Sequence, residues 1–376
     1  GQTTEQKIFL IQMALFVAGV ATIIQTVGVG KVGSRLPIIQ GTSFAFIPVM
    51  APFAKVGLGA VFTAAFIGGL FQMYIGKILR PIRHMFPPLV TGIVVLMIGV
   101  SLLGVGFQYA GGGAWLLNNK PELFGSGSHL FLAFTVLIVA LVVHQRAKGF
   151  WSSGSILVGM VVGYIVAMAM GMIDYDKIAD AEWFALPVPF QYGIEFVPAA
   201  IILMLFMAVV TTIETIGDIS ATTMGGSNRE ATNKELSGGI MADGLGTAFG
   251  SIFNAMPNTS YSQNAGLVAF TGVVNKVVGT IAGIILILLG LFPKLGGVIA
   301  AMPDSVIGGA AIIMFGLIAG AGIKLISKSE MSQRNILILA LSLSFGIGLY
   351  AFPEFVAHIP DFGIKLKLLL TTGLIP

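Results

Sequence analysis

Asn258-Thr259-Ser260-Tyr261-Ser262-Gln263-Asn264 interrupts one apolar stretch of this chain, and Gly41-Thr42-Ser43-Phe44 interrupts another. Of the 376 residues, 56% are hydrophobic and 10% are charged, whereas a soluble domain carries about 25% charged residues. So much apolar surface belongs in lipid, where every backbone N–H and C=O needs a protein partner. Non-helical backbone at membrane depth survives only when buried in protein or lining a watery cavity. Both interruptions are therefore read as broken crossings. The fold they predict is an all-α polytopic membrane protein with a short strand in each of two broken helices.

Apolar runs at residues 9–25, 58–78, 88–107, 130–145, 155–172, 197–216, 239–253, 277–291, 306–324 and 336–351 are read as helices crossing about 30 Å of hydrocarbon. Segments 41–55 and 258–274 are too short or too polar for a full span. A last apolar segment starts near Leu366 and stops at Pro376, and Gly1 leads into a span already under way. The chain is thus expected to lack the first and last spans. With each broken segment counted as one crossing, alternate loops hold Lys31 and Arg35; Lys77, Arg80 and Arg83; Arg146 and Lys148; Arg229 and Lys234; Lys276; and Lys324, Lys328 and Arg334. These are 13 of the 20 Lys and Arg residues, accompanied by only Glu230, Glu235 and Glu330 of the 16 acidic ones. The opposite side includes Asp174, Asp176, Asp180 and Glu182. The positive-inside rule makes the basic loops cytoplasmic, and dropping either broken crossing would scramble the alternation.

The 50 glycines suit close helix approach and helix breaks. Without cysteine there is no disulfide scaffold or thiolate site, and the four His residues are scattered. No metal or cofactor is expected. The sequence shows no nucleophile–base pair and no phosphate loop, so it is not read as an enzyme. The net charge of +4 is distributed by membrane topology and implies no nucleic-acid partner.

The two breaks resemble each other, Gly41-Thr42-Ser43-Phe44 against Asn258-Thr259-Ser260-Tyr261, which points to an internal repeat. Corresponding interrupted segments in two halves of a transporter mark a midplane binding site. Ionisable residues inside spans cost about 2.5–3.5 kcal/mol each on insertion scales. Glu214 and Asp218 lie one turn apart in Thr211-Thr212-Ile213-Glu214-Thr215-Ile216-Gly217-Asp218, near the end of an apolar run, and Asp243 lies early in the next. With no Lys or Arg nearby in these spans, the three are natural proton carriers. For Asp218 and Asp243 a second reading stands, as helix-end caps near water. The Gln263 amide offers a donor beside an acceptor, suited to a flat solute with alternating N–H and C=O groups. Phe44 can stack on such a ring. Helix-tethering hydrogen bonds remain open for Gln263 and Asn264, as does a plain core role for Phe44.

Gln263-Asn264-Ala265-Gly266-Leu267-Val268-Ala269-Phe270-Thr271-Gly272 resembles the signature of the nucleobase–ascorbate transporter family, also called nucleobase:cation symporter family two. That signature reads Gln or Glu, then Asn, one residue, Gly, four residues, Thr. Gly41 through Phe46, Phe86-Pro87-Pro88, Trp183-Phe184-Ala185-Leu186-Pro187, Glu214 through Asp218, Ala242-Asp243-Gly244-Leu245 and Pro257-Asn258-Thr259 extend the likeness to essentially the whole chain. The resemblance implies fourteen spans in two inverted seven-span repeats. It also implies a core domain from residues 1–85 and 196–292, a gate domain from 86–195 and 293–376, and a homodimer formed through the gate.

By the same resemblance, Glu214 and Gln263 hold a base by side-chain hydrogen bonds, Phe44 stacks on it, and backbone N–H groups near Phe44 and Ser262 bind its carbonyls. Asn264 joins this substrate set, and Asp218, Asp243 and Glu214 form the proton-coupling set. Gln263 in place of Glu, and Gly272 in place of Arg after Thr271, resemble bacterial xanthine- or urate-selective members rather than uracil-selective ones. A first span of the family normally adds a Gln-His pair near the site. The expected function is proton-coupled uptake of xanthine or uric acid across a bacterial inner membrane. The rivals are a uracil or other nucleobase permease of the same family, and a sulfate-type anion transporter of the same architecture. The latter would want a basic residue or bare helix N-termini at the break.

Overall fold

The protein is described here by a computed structural model covering residues 3–54, 56–79 and 87–352. Lys55, Arg80, Arg83, Phe86 and the apolar segment from Leu366 onward lie outside the described residues. The first broken segment begins after α1 (Thr4–Val27) with β1 (Gln40–Thr42), a tight 3-10 turn at Phe44–Phe46, and α2 (Ile47–Ala54). Next come α3 (Leu58–Lys77), α4 (Pro88–Ala110), α5 (Gly127–Arg146), α6 (Ser155–Ala169), α7 (Pro198–Ser227) and α8 (Asn233–Ile252). The second broken segment is β2 (Asn258–Ser260) followed by α9 (Ser262–Thr271). The chain continues through α10 (Lys276–Gly290), α11 (Pro293–Ala300), α12 (Asp304–Ile326) and α13 (Gln333–Ala351).

Among the described residues, six helices (α1, α3, α4, α5, α7 and α12) are long and apolar enough to cross a membrane, and α10 with α11 forms a further pair bent by 82°. The protein is a multi-pass, mainly helical membrane protein, with one two-stranded sheet among the described residues. That sheet pairs β1 with β2 antiparallel, Gly41 opposite Thr259. Each strand is only three residues long, so most of its ladder ends on side chains.

Two helices begin or end away from the apolar runs, for physical reasons. α7 continues past residue 216 through Thr222, Thr223 and Met224 to Ser227, closing on Asn228 in the left-handed conformation at φ 50°. α8 starts at Asn233 rather than 239, because Thr232 and Glu235 form a capping box: the Thr232 hydroxyl accepts from the Glu235 amide, and the Glu235 carboxylate accepts from the Thr232 amide at 2.8 Å. Such a polar first turn is invisible to hydropathy. In consequence Asp218 and Asp243 both sit in helix interiors, and neither caps a helix end.

Glycines set the closest helix contacts. α8 packs on α3 where Gly69 faces Gly244, and α12 packs on α4 where Gly92 faces Gly322. α1 lies along α10, and α7 lies along both α3 and α9, while α5 and α6 pack with α12. A Cβ on Gly69 would lie 2.6 Å from the Gly244 carbonyl oxygen and 2.7 Å from the Ala248 nitrogen, a backbone clash that no rotamer relieves. Gly69→Leu is therefore expected to push α3 off α8 and destabilise the protein by about 1–3 kcal/mol or more. A lowered thermal unfolding midpoint in detergent checks this; an unchanged midpoint would show that the two helices are not held at this distance.

Candidate functional site

The strand pair ends on Asp243, a wholly buried carboxylate in the middle of α8. Its Oδ1 accepts from the Gln40 side-chain amide and, at 3.0 Å, from the Ser260 hydroxyl. Its Oδ2 accepts from the Thr215 hydroxyl and, at 3.3 Å, from the Ser260 backbone N–H. One carboxylate thus joins α7, α8, β1 and β2. Gln40 extends the network: its Oε1 accepts from Asn258 Nδ2 at 2.8 Å, and its backbone N–H donates to the Thr22 hydroxyl of α1 at 2.9 Å. On the other strand, the Asn258 N–H and C=O both bond the Thr247 hydroxyl at 3.0 Å. Beyond the paired residues the ladder is prolonged by Ser43 N–H to Pro257 C=O and Tyr261 N–H to Ile39 C=O, both at 3.0 Å.

Where the strands give way to helix, the chain leaves a cavity of about 310 Å³. Part of its lining is polar: Thr42, Ser43, Glu214, Thr259, Ser260 and Ser262, with Gln263 and Tyr261. The ring of Tyr261 covers Gly41 so closely that a Cβ there would overlap the phenol oxygen. α4 and α12 contribute an apolar part of the lining, Ile98 from α4 and Met314 and Ile318 from α12, and Ala45 adds to it beside Phe44. Phe44 borders the cavity with 38% of its surface exposed. Its ring meets Phe315 of α12 edge-to-face, with centroids 5.1 Å apart and planes at 82°, the arrangement aromatic quadrupoles favour.

The structure brings Phe44, Glu214, Ser262 and Gln263 to this one cavity. Glu214 Oε2 has no hydrogen-bond partner among the described residues. Gln263 is exposed to the cavity. α9 begins at Ser262 without a side-chain cap; the Asn264 N–H bonds the Tyr261 carbonyl at 3.0 Å, while the N–H groups of Ser262 and Gln263, for which the helix holds no acceptor, belong to residues that line the cavity. Asp218 stands one turn beyond Glu214, buried, with its carboxylate against the Ser262 side chain and Oδ2 without a partner among the described residues. Asn264 and Asp243 do not line the cavity. The Asn264 amide donates instead to the Pro37 carbonyl at 2.5 Å, tying α9 to the segment that enters β1.

Several participants carry no signal in the sequence. Gln40 and Thr215 matter because folding sets them against Asp243, and nothing local marks them. Ile98, Met314 and Ile318 are apolar residues in apolar helices. Tyr261 was the one legible addition, as an aromatic residue inside a polar break.

With this geometry in view, residues 1–355 match the family model described as Permease family. The chain belongs to that family, the transporters whose signature Gln263 through Thr271 carries. It is 36% identical over 379 residues to the xanthine permease of Bacillus subtilis (strain 168), covering 100% of this chain and 84% of that protein. It is 34% identical over 382 residues to the uric acid transporter UacT of Escherichia coli (strain K12), covering 100% and 77% respectively. Among solved structures it resembles the transmembrane domain of the cyanobacterial bicarbonate transporter BicA, with a TM-score of 0.60 and 18% identity over 98% of this chain and 94% of that one. At that identity the likeness establishes the fold alone.

The network makes a differential prediction. Gln40→Ala removes a donor from buried Asp243 and the acceptor of Asn258 Nδ2, and should cost about 1–3 kcal/mol. Thr259→Val keeps the shape of a buried side chain whose hydroxyl has no partner among the described residues, and should be near neutral in the substrate-free protein. Thermal unfolding of both variants in detergent is the check. Equal losses would mean that Gln40 does not hold the strands.

Proposed function

We propose that the protein is a secondary active transporter that takes up an oxidised purine, xanthine or uric acid, together with protons across a bacterial inner membrane. The observation that carries this reading is the convergence of Glu214, Gln263 and Phe44 on one cavity where two broken helices meet. A carboxylate with a free oxygen accepts N–H groups, a primary amide matches an adjacent N–H and C=O, and an exposed ring stacks on a flat heterocycle. The names of the two relatives point the same way. Among the described residues no Lys or Arg lines the cavity, which argues against a small inorganic anion as the bound species despite the fold shared with a bicarbonate transporter.

In this reading α1, α3, α7, α8 and α10 act as the core domain, α4, α5, α6, α12 and α13 as the gate, and a second copy docks through the gate. Glu214 binds substrate, Asp218 and Asp243 carry the coupling proton, and Asn264 supports the site from behind by holding α9. The chemistry is translocation without covalent change. Thr215 explains how Asp243 can take a proton in place. Its hydroxyl lies 2.8 Å from the Thr211 carbonyl as well as on Asp243, and it has a single hydrogen to give. When Asp243 is charged, Thr215 donates to it; when Asp243 is protonated, the carboxyl donates to Thr215, whose own hydrogen returns to Thr211.

Two outcomes test these roles in the full-length protein. Gln263→Glu exchanges the amide donor for an acceptor and is expected to weaken xanthine uptake by about tenfold or more; unchanged affinity would remove Gln263 from the site. In Asp243→Asn the new amide can donate to Thr215 as the protonated acid would, so substrate binding should remain measurable while accumulation driven by a pH gradient is lost. Equilibrium binding and vesicle uptake, both in sodium-free buffer, read the two properties separately. A variant that still concentrates xanthine under the gradient would end the role of Asp243 as a proton carrier.

A further inference from the structure

The polar and apolar parts of the cavity lining come from different elements, and a purine must present edges that match both. Glu214, Gln263, Ser262 and the strand ends come from α7, α9 and the strand pair. Ile98, Met314 and Ile318 come from α4 and α12, with Met314 and Ile318 one helical turn apart on the same face of α12. Around the rim of xanthine, N1–H, C2=O, N3–H, C6=O, N7–H and N9 all offer or require hydrogen bonds. C8–H is the one rim position that requires none. Uric acid carries a carbonyl at that position and an N–H at N9, so its rim has no apolar position.

We propose that Ile98, Met314 and Ile318 form a specificity wall that receives the C8–H edge of xanthine and disfavours uric acid. The proposal rests on the purine reading above and deepens it. The orientation follows from cost. Turning the pyrimidine ring toward the wall would strand two carbonyls and two N–H groups against hydrocarbon, whereas turning C8 toward it strands no carbonyl. A buried carbonyl without a donor loses its hydration with nothing in return. Uric acid pays that penalty in either orientation. Dispersion contacts of the two Ile side chains and the polarisable Met thioether favour the flat C–H edge.

The test is inhibition of labelled xanthine uptake by unlabelled xanthine and by uric acid, in cells expressing the full-length protein and its variants. For the unaltered protein, uric acid should inhibit roughly ten- to a hundredfold more weakly than xanthine. Met314→Gln places an amide donor on the wall and should narrow that ratio at least about threefold. Ile318→Thr, a smaller change on the same face, should narrow it in the same direction and serves if the first variant fails to reach the membrane. Equal inhibition by the two purines, or a ratio that neither variant moves, would overturn the wall as the source of selectivity. Absence of saturable xanthine uptake by the unaltered protein would instead overturn the purine reading, and this inference with it.

Discussion

A three-residue strand pair at membrane depth depends on Asp243. Water is not at hand to complete the hydrogen bonding of β1 and β2, and each strand is too short to satisfy itself. Asp243 solves this by accepting from four donors on three other elements, while Gln40 and Asn258 lock the strands to each other. A carboxylate suits this place because it accepts on every side and so collects donors that would otherwise be stranded. The cavity exists because these strands stop where they do. The turn at Ser43 and the start of α9 at Ser262 both open from the end of the same ladder.

The rest of the packing serves to hold that small sheet rigidly. α8, which carries Asp243, lies against α3 at Gly69 and Gly244 with backbones nearly touching. α7 presents Thr215 to Asp243 and, one residue earlier, Glu214 to the cavity. The proposed proton carrier on α8 therefore bonds the residue next to the proposed substrate ligand on α7, and the link runs through the Thr215 hydroxyl rather than through a chain of charges. A change in the protonation of Asp243 must redirect a hydrogen bond on the helix that presents Glu214, which is a short physical path between the two sites.

The sequence revealed the breaks because polar residues such as Asn258, Ser260 and Gln263 have no business in lipid unless protein surrounds them. It revealed Glu214, Asp218 and Asp243 for the same reason. It misplaced the depth of the last two, since hydropathy ends α7 and starts α8 at apolar residues, whereas the Thr-rich turn after Asp218 and the capping box at Thr232 extend both helices beyond the apolar runs. Partnership was out of reach. That Asp243 belongs to Gln40, 203 residues away, and that Asn264 ties back to Pro37 are long-range pairings that no local pattern encodes. The apolar wall was equally hidden, because Met314 and Ile318 differ from their lipid-facing neighbours only in what lies in front of them.

The likeness to a bicarbonate transporter shows how little of the substrate is written in the architecture. Two broken helices meeting end to end supply first-turn N–H groups, and those alone would suit an anion. In this chain the same place also receives Glu214, Gln263 and Phe44, which in the proposed reading suit a flat ligand that presents N–H beside C=O. The fold provides a site at the end of the strand ladder, and in the proposed reading the side chains at residues 44, 214 and 263 decide what it accepts. α12 contributes Phe315 to Phe44 and Met314 and Ile318 to the cavity. The apolar wall and the ring that backs Phe44 thus share one helix outside the strand pair. In the proposed reading, any displacement of α12 would withdraw the wall from a bound base and Phe315 from Phe44 together, and leave the polar edge of the base with α7 and α9.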